Sequence, residues 1–394
     1  MAEVFKAKSY TDTGFEKVVA LKRLLPSFSE DEAFVQMFLQ EARIAARLRH
    51  ESICPLYELG QVEQDYYLTM EFIYGHDLRA TLKALKRKDE TMNPWICAFI
   101  AQRVATALEY AWTAIDDDGK PLHLVHRDIS PQNIMVGFDG SVHVIDFGIA
   151  KIANSSVQTA AGVLKGKYAY MSPEHAGSLP LDRRSDIWSL GVVLYEQLSG
   201  KRLFIGGSVA DTLDQVLSRD IPVLEDVPAP LRQVVERMLN RDLDERYQTH
   251  AEVAAALQTA LRCAPSTVSE QQVSHWMSTL FPLDKRLEMD LTEQDVRLVF
   301  SAEERGEDTT DVQSDISSAT RIFLADKTGQ ADYRLVLEQL MATGRVKTVA
   351  MESTKEEAVS STANQLIEPI NDSNANDLLI AVMILMALYG WLLF

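Results

Sequence analysis

Hydrophobic and polar positions divide the chain into stretches of different period. "KVVALKRL" (17–24) and "DYYLTMEFI" (65–73) are short runs of β-branched and aromatic residues, the composition of strands. Between them, "SEDEAFVQMFLQEARIAARL" repeats apolar residues at helical spacing, with Phe34, Phe38, Ala45 and Leu48 along one side. Ser29 followed by Glu32 has the form of a capping box, so the spacing predicts an amphipathic helix starting there. Asn93 and Pro94 supply a cap and a first-turn proline for a second helix to about Trp112, and Gly200 closes a third that starts near Asp186. This order predicts an α+β domain over 1–262, with a small β-rich lobe at 1–73 and a large helical lobe at 76–262.

After Cys263 the pattern changes. Within 263–285, "STVSEQQVSHWMSTLF" places Val268, Val273, Trp276, Leu280 and Phe281 on one face, which predicts a helix docking onto the preceding domain. Residues 286–377 are acidic and rich in Ser and Thr, with little apolar surface to offset the entropy of ordering; they read as a flexible linker carrying one short helix in "DYRLVLEQLMATG". From Leu378 to Phe394, 17 consecutive residues carry no charge. That is the lower limit of the roughly 17–25 residues of a membrane span, and the segment reads as a C-terminal transmembrane tail anchor. Its rival is a terminal helix buried against protein, which would ordinarily keep a polar stripe that this segment lacks.

Charge narrows the function classes. With 39 basic and 57 acidic residues the formal net charge is -18, which opposes general affinity for nucleic acid or anionic membrane surfaces. Cys54, Cys97 and Cys263 are far apart and fit neither a disulfide framework nor a zinc site, so a reducing compartment is expected.

The chemistry sits in loops. Phosphoryl transfer needs positioning and charge neutralisation more than covalent steps. In "HRDISPQN" (126–133), Asp128 can take the proton of an attacking hydroxyl and Asn133 can bind a divalent metal. "DFG" (146–148) follows the strand-like "SVHVI", where Asp146 is a second metal ligand and Gly148 lets the backbone turn. "VALK" sets Lys22 on a strand as a fixed ammonium for phosphates, and Glu41 on the next helix can pair with it. Each residue alone is an ordinary turn former or surface charge; the ordered set is not.

With these motifs the chain resembles the bacterial eukaryotic-like (Hanks-type) serine/threonine protein kinases over about residues 1–262. The series is "VFKAK", "VALK", Glu41, "MEF" after a gatekeeper-like Met70, "HRD" with Asn133, "DFG", "SPE" (172–174), "SDIWSLG" (185–191) and Arg246 in "DERYQT". The resemblance implies a two-lobed kinase fold, ATP with Mg²⁺ or Mn²⁺, and protein Ser/Thr hydroxyls as acceptors. It implies a nucleotide site at Val4, Ala20, Lys22, Met70, Glu71 and Ile73, a brace at Asp186, and a Glu174–Arg246 pair locking the helical lobe. Arg127 before Asp128 implies control by activation-loop phosphorylation, with Ser155, Ser156 and Thr159 as candidate sites. An ATP-using domain is expected on the cytoplasmic side of the cell membrane, with protein substrates, no nucleic-acid partner, and self-association for phosphorylation in trans. The Arg-bearing catalytic loop usual in tyrosine kinases is absent.

Two departures stand out. The family opens with a strand and a Gly-rich loop over the ATP phosphates, whereas this sequence begins at "MAEVF", at the end of that loop. Either an upstream segment supplies it or the kinase lacks its first strand and binds ATP weakly; in the second case a membrane-tethered pseudokinase scaffold is the alternative function. Secondly, the family usually has Lys where Ser130 stands and Thr where Lys167 stands. The two residue types read as exchanged, with Lys167 reaching the site from the opposite wall; the alternative is a loss at Ser130 and an exposed charge at Lys167.

Overall fold

A computed structural model describes residues 2–10, 16–25, 28, 32–62, 65–116, 118–147 and 167–282, together with strands at 296–300 and 320–323. These lie within one compact unit, Met1–Gln330; the second unit, Ala331–Phe394, is outside the described residues, as are "DYRLVLEQLMATG" and the apolar segment 378–394. Among the described residues no helix is long and apolar enough to cross a membrane.

The N-terminal lobe is a sheet with one helix against it. Strands β1 (Ala2–Tyr10), β2 (Glu16–Leu24), β3 (Leu56–Val62) and β4 (Asp65–Glu71) pair antiparallel, with Val4 opposite Lys22 and Ala20 opposite Met70. Alternation along β2 buries Val19 and Leu21, which meet Ala7 and Tyr67. Helix α1 (Glu32–Ala45) presents Val35, Phe38, Leu39 and Ala42 to Leu24 and Leu68. Ser29, expected to cap it, lies outside the described residues.

The segment 286–377, expected as a flexible linker with one short helix, holds two elements that were not expected. Two short strands, β8 (Val296–Phe300) and β9 (Thr320–Phe323), fall inside it. They extend the sheet to the order β3-β4-β2-β1-β8-β9, with β8 running parallel to β1 from Ala7↔Val296 to Tyr10↔Val299. The outer edge of β1 would otherwise present unpaired N–H and C=O groups, which is what draws a further strand to an edge.

In the C-terminal lobe, strands β5 (Gly75–Asp77), β6 (Ile134–Gly137) and β7 (Val142–Val144) form a small sheet. The helices are α2 (Leu78–Lys88), α3 (Pro94–Thr113), the short α4 (Pro173–Ala176), α5 (Arg183–Ser199), α6 (Val209–Ser218), α7 (Ala229–Met238), α8 (His250–Leu261) and α9 (Glu270–Leu280). Asn93 caps α3 by accepting from the Trp95 amide at 2.9 Å. Helix α5 is buried on every face from Ser185 to Leu198 and ends at Gly200, whose φ of 66° is a left-handed cap. It starts three residues before Asp186, because Asp182 is the cap: its Oδ1 accepts from the Arg184 amide at 2.8 Å.

Helix α9 is part of this lobe. It buries Val273, Met277, Leu280 and Phe281, with Val268 and Trp276 partly covered. Phe281 packs its ring 3.9 Å from that of His76, Ser274 Oγ donates to the Phe138 carbonyl at 2.6 Å, and Lys88 Nζ donates to the Leu280 carbonyl at 3.1 Å. Arg103 on α3 ties the helix to the start of the segment following α1, through Glu270 at 2.9 Å and Glu51. Gly140 permits the close approach: its φ is +91°, and a Cβ there would lie 1.9 Å from the Glu270 carbonyl oxygen. Gly140→Ala should therefore destabilise the domain by about 1–3 kcal/mol, the cost of overpacking. Limited proteolysis should cut that variant first within 263–282, and a cleavage pattern like the parent's would count against the docking.

Candidate active site

The site lies where β7 and the loop before β6 meet the N-terminal sheet. The segment after α1 is stitched to β7: Ile53 and Val144 form a parallel bridge, Cys54 N donates to Val144 O at 3.0 Å, and Val144 N donates to Ser52 O at 2.9 Å. Next along the chain, Ile145 N donates to Asn133 O at 3.0 Å, which sets Asp146 beside the Asp128–Asn133 loop.

Lys22 Nζ donates to Asp146 Oδ1 at 2.8 Å, joining the N-terminal sheet to this loop. Asn133 Nδ2 donates to the Asp128 carbonyl at 2.8 Å and to Asp128 Oδ2 at 3.1 Å. Lys167 Nζ donates to the same Oδ2 at 2.9 Å. Four of the residues singled out in the sequence thus fall into two linked pairs, with Lys167 as a fifth. Glu41 sits on α1, and its side chain lies outside the described residues, as do Gly148, Ser155, Ser156 and Thr159.

Backbone strain marks the same place. Arg127 has φ 65° and Asp146 φ 56°, both in the left-handed region that side chains seldom adopt. Asp186 supports the first of these: its Oδ2 accepts from His126 N at 2.7 Å and its Oδ1 from Arg127 N at 2.9 Å. Burial pushes the Asp186 carboxyl up to about 7, while those two donors and the Arg127 charge pull the other way. His126, which the sequence reading left without a role, is fully buried against Phe147, and its Nε2 sits 3.2 Å from the Ile145 carbonyl oxygen.

The residues expected at the nucleotide lie around this cleft. Val4 is 64% exposed on β1 and Ala20 half-buried on β2. Met70 closes a small cavity that reaches Asp146 and Phe147, with Cys54 in its wall. Burial pushes the Cys54 thiol up to about 12, so it stays protonated and unreactive. Glu71 gives its amide to the Pro55 carbonyl at 2.9 Å, and Ile73 follows on the connection to β5.

A divalent cation fits the donor set. Asn133 turns its amide nitrogen to Asp128, which leaves Oδ1 as a ligand, and Asp146 Oδ2 accepts nothing from the described residues. Two hard oxygens with open positions suit Mg²⁺, which keeps much of its water and binds phosphate. No cluster of three His, Cys, Asp or Glu side chains able to hold a metal occurs among the described residues.

Away from the cleft, Glu174 and Arg246 meet in the interior, Nη1 to Oε1 at 2.8 Å, with Ser185 Oγ donating to the same oxygen at 2.8 Å. Burial alone would raise the Glu174 carboxyl; hydrogen bonds and charge from Arg246 hold it below its usual range. A second buried cluster was not foreseen from the sequence: Glu196 accepts from the Tyr170 hydroxyl and pairs with Arg79 at 3.3 Å and Arg202 at 3.7 Å.

Comparison with known proteins bears on this arrangement. The protein kinase domain family model matches residues 1–258. Tyrosine-protein kinase MasK of Myxococcus xanthus is 40% identical over 265 residues, covering 66% of this chain and 41% of its own length. A Clostridium acetobutylicum protein named "Probable serine/threonine-protein kinase" is 36% identical over 256 residues, covering 64% of this chain and 37% of its own length. Serine/threonine-protein kinase PknB of Mycobacterium leprae is 36% identical, covering 65% and 40%. The chain therefore spans about two fifths of the length of these relatives. Among solved structures, the Mycobacterium tuberculosis PknI kinase domain aligns with TM-score 0.48 at 24% identity, over 66% of this chain and 90% of that one. With its family model matched over residues 1–258 and the Lys22, Asp128, Asn133 and Asp146 side chains drawn into one cleft, the chain belongs to the protein kinase family.

Proposed function

We propose that this domain transfers the γ-phosphoryl group of ATP to serine and threonine hydroxyls of proteins. The reading rests on one observation: Lys22–Asp146 at 2.8 Å and Asn133–Asp128 at 3.1 Å, held side by side through the Ile145–Asn133 backbone bond. Lys22 holds the nucleotide phosphates, Asp128 orients the acceptor hydroxyl and receives its proton, and Asn133 and Asp146 are the ligands for Mg²⁺. When bound, that ion neutralises phosphate charge. Lys22, Asp128, Asn133 and Asp146 gathered at the cleft favour transfer over a scaffold role. Relatives named as serine/threonine kinases support the acceptor type, and MasK, named as a tyrosine kinase, supplies the second reading.

Residues 378–394 would hold the domain at the cytoplasmic face of a membrane, on the strength of their 17 uncharged residues. Tethering raises local concentration and so favours phosphorylation between copies of the chain.

Purified protein given γ-labelled ATP and Mg²⁺ should label itself and a generic protein acceptor, and acid hydrolysis should release phosphoserine and phosphothreonine. Asp146→Asn should lower the rate by at least about a hundredfold, a fraction of the several kcal/mol a metal clamp supplies. Phosphotyrosine alone would decide for the second reading, and no transfer at all would decide for the scaffold.

A further inference from the structure

Asp128 carries a cation that the local sequence does not supply. Ser130, two residues away, is 2% exposed, and its hydroxyl has no hydrogen-bond partner among the described residues, so it brings the cleft neither charge nor a donor. The ammonium comes instead from Lys167, 39 residues on, with Nζ 2.9 Å from Asp128 Oδ2.

This contact differs from an ordinary surface pair. The Asp128 side chain is only 12% exposed and that of Lys167 30%. Lys167 also leads a rigid element, the 3-10 turn Tyr168–Tyr170. That turn is fixed to α5 from two directions: Ser189 Oγ donates to the Tyr170 carbonyl at 2.8 Å, and the buried Tyr170 hydroxyl donates to Glu196. A side chain launched from such a base loses little further freedom when it engages a charge, which is how a positioned cation differs from a fluctuating one.

Resting on the phosphotransferase reading above, we propose that Lys167 supplies the positive charge on the acceptor side of the transfer. It holds Asp128 in place and stands where the moving phosphoryl group passes. In the step, the acceptor oxygen bonds to the γ-phosphorus as the bond from that phosphorus to the bridging oxygen of ADP breaks. The acceptor proton goes to Asp128. Lys22 is paired to Asp146 on the nucleotide side, so the two ammoniums flank the path of the phosphoryl group. Charge spread over the equatorial oxygens in the transition state is stabilised by donors already in position.

The test compares Lys167→Ala, Lys167→Arg and the double variant Ser130→Lys/Lys167→Ala in the full chain. Lys167→Ala should lower kcat by about 10²–10³, the scale seen when one preorganised donor is removed, with KM for ATP changed less than about threefold. Lys167→Arg and the double variant should each recover at least about tenfold of the loss, since each returns a cation to Asp128. Calorimetry gives a readout without turnover: Lys167→Ala should bind ADP with Mg²⁺ as the parent does and bind ADP with Mg²⁺ and aluminium fluoride at least about tenfold more weakly. Unchanged kcat, unchanged fluoride-complex affinity, or a loss that neither cation restores would each overturn the proposal. Parent protein that binds nucleotide and the fluoride complex yet transfers nothing would instead defeat the reading it rests on, and the calorimetric comparison would still judge Lys167.

Discussion

Replacing Arg246 with alanine should destabilise the domain by about 3–5 kcal/mol, the range for breaking a buried ion pair. Arg246 is fully buried and Glu174 is 5% exposed, so neither can turn to water when the other is lost. The guanidinium also donates to the Arg184 carbonyl at 2.8 Å and the Asn240 carbonyl at 2.9 Å, and lies 5.2 Å over the Trp188 ring. Alanine would leave two carbonyls and one carboxylate buried with fewer donors, beside a cavity. Urea denaturation measures this directly, and a loss below about 1 kcal/mol, the worth of a surface pair, would mean that water reaches the site. The pair has a pH signature. Because Glu174 is held below its usual 4.5, its contribution is complete above that pH and is lost as pH falls through the lower folded value. The stability gap between the parent and Glu174→Gln should therefore narrow in acid.

Asp128→Asn should reduce kcat by about 10²–10⁴, the contribution of a positioned general base. The change keeps size and shape, and the Asn133 amide can still reach the carbonyl oxygen of residue 128, which it meets at 2.8 Å. Nucleotide affinity should stay within about threefold, because Lys22 and Asp146, proposed above to face the phosphates, are untouched. Steady-state kinetics beside nucleotide titration separates the two effects. A kcat within tenfold of the parent's would remove Asp128 from the proton-accepting role.

Much of this was legible in the sequence because phosphoryl transfer constrains residue type and order together. Asp128, Asn133 and Asp146 could be picked out by their order and spacing, in loops on either side of the β6–β7 hairpin. Lys167 could be picked out because it stands where the family usually has Thr, while Ser130 stands where the family usually has Lys. The interior was harder to read. Glu196 lies in α5 among apolar neighbours, and nothing in its own segment announces that Tyr170, Arg79 from the N-terminal side of the lobe, and Arg202 just past the helix end converge on it. Helix α5, expected to begin near Asp186, begins at Arg183, because Asp182 caps it while the Asp186 carboxylate turns to the backbone of His126 and Arg127. In the acidic segment after 286, the apolar runs of β8 and β9 are short and set among charges, so composition averaged over the segment hid them.

The seat of α9 bears on how this module can be cut and joined. A fragment ending at Leu261, the last residue of α8, would strip Phe281 from His76 and Phe138 and uncover the apolar ground beneath Val273, Met277 and Leu280. Such a fragment should expose a sticky face and precipitate more readily than one ending after Pro282. For the same reason, any rearrangement that transplants this domain intact must carry its last helix along, so that the unit of inheritance is longer than the unit of catalysis.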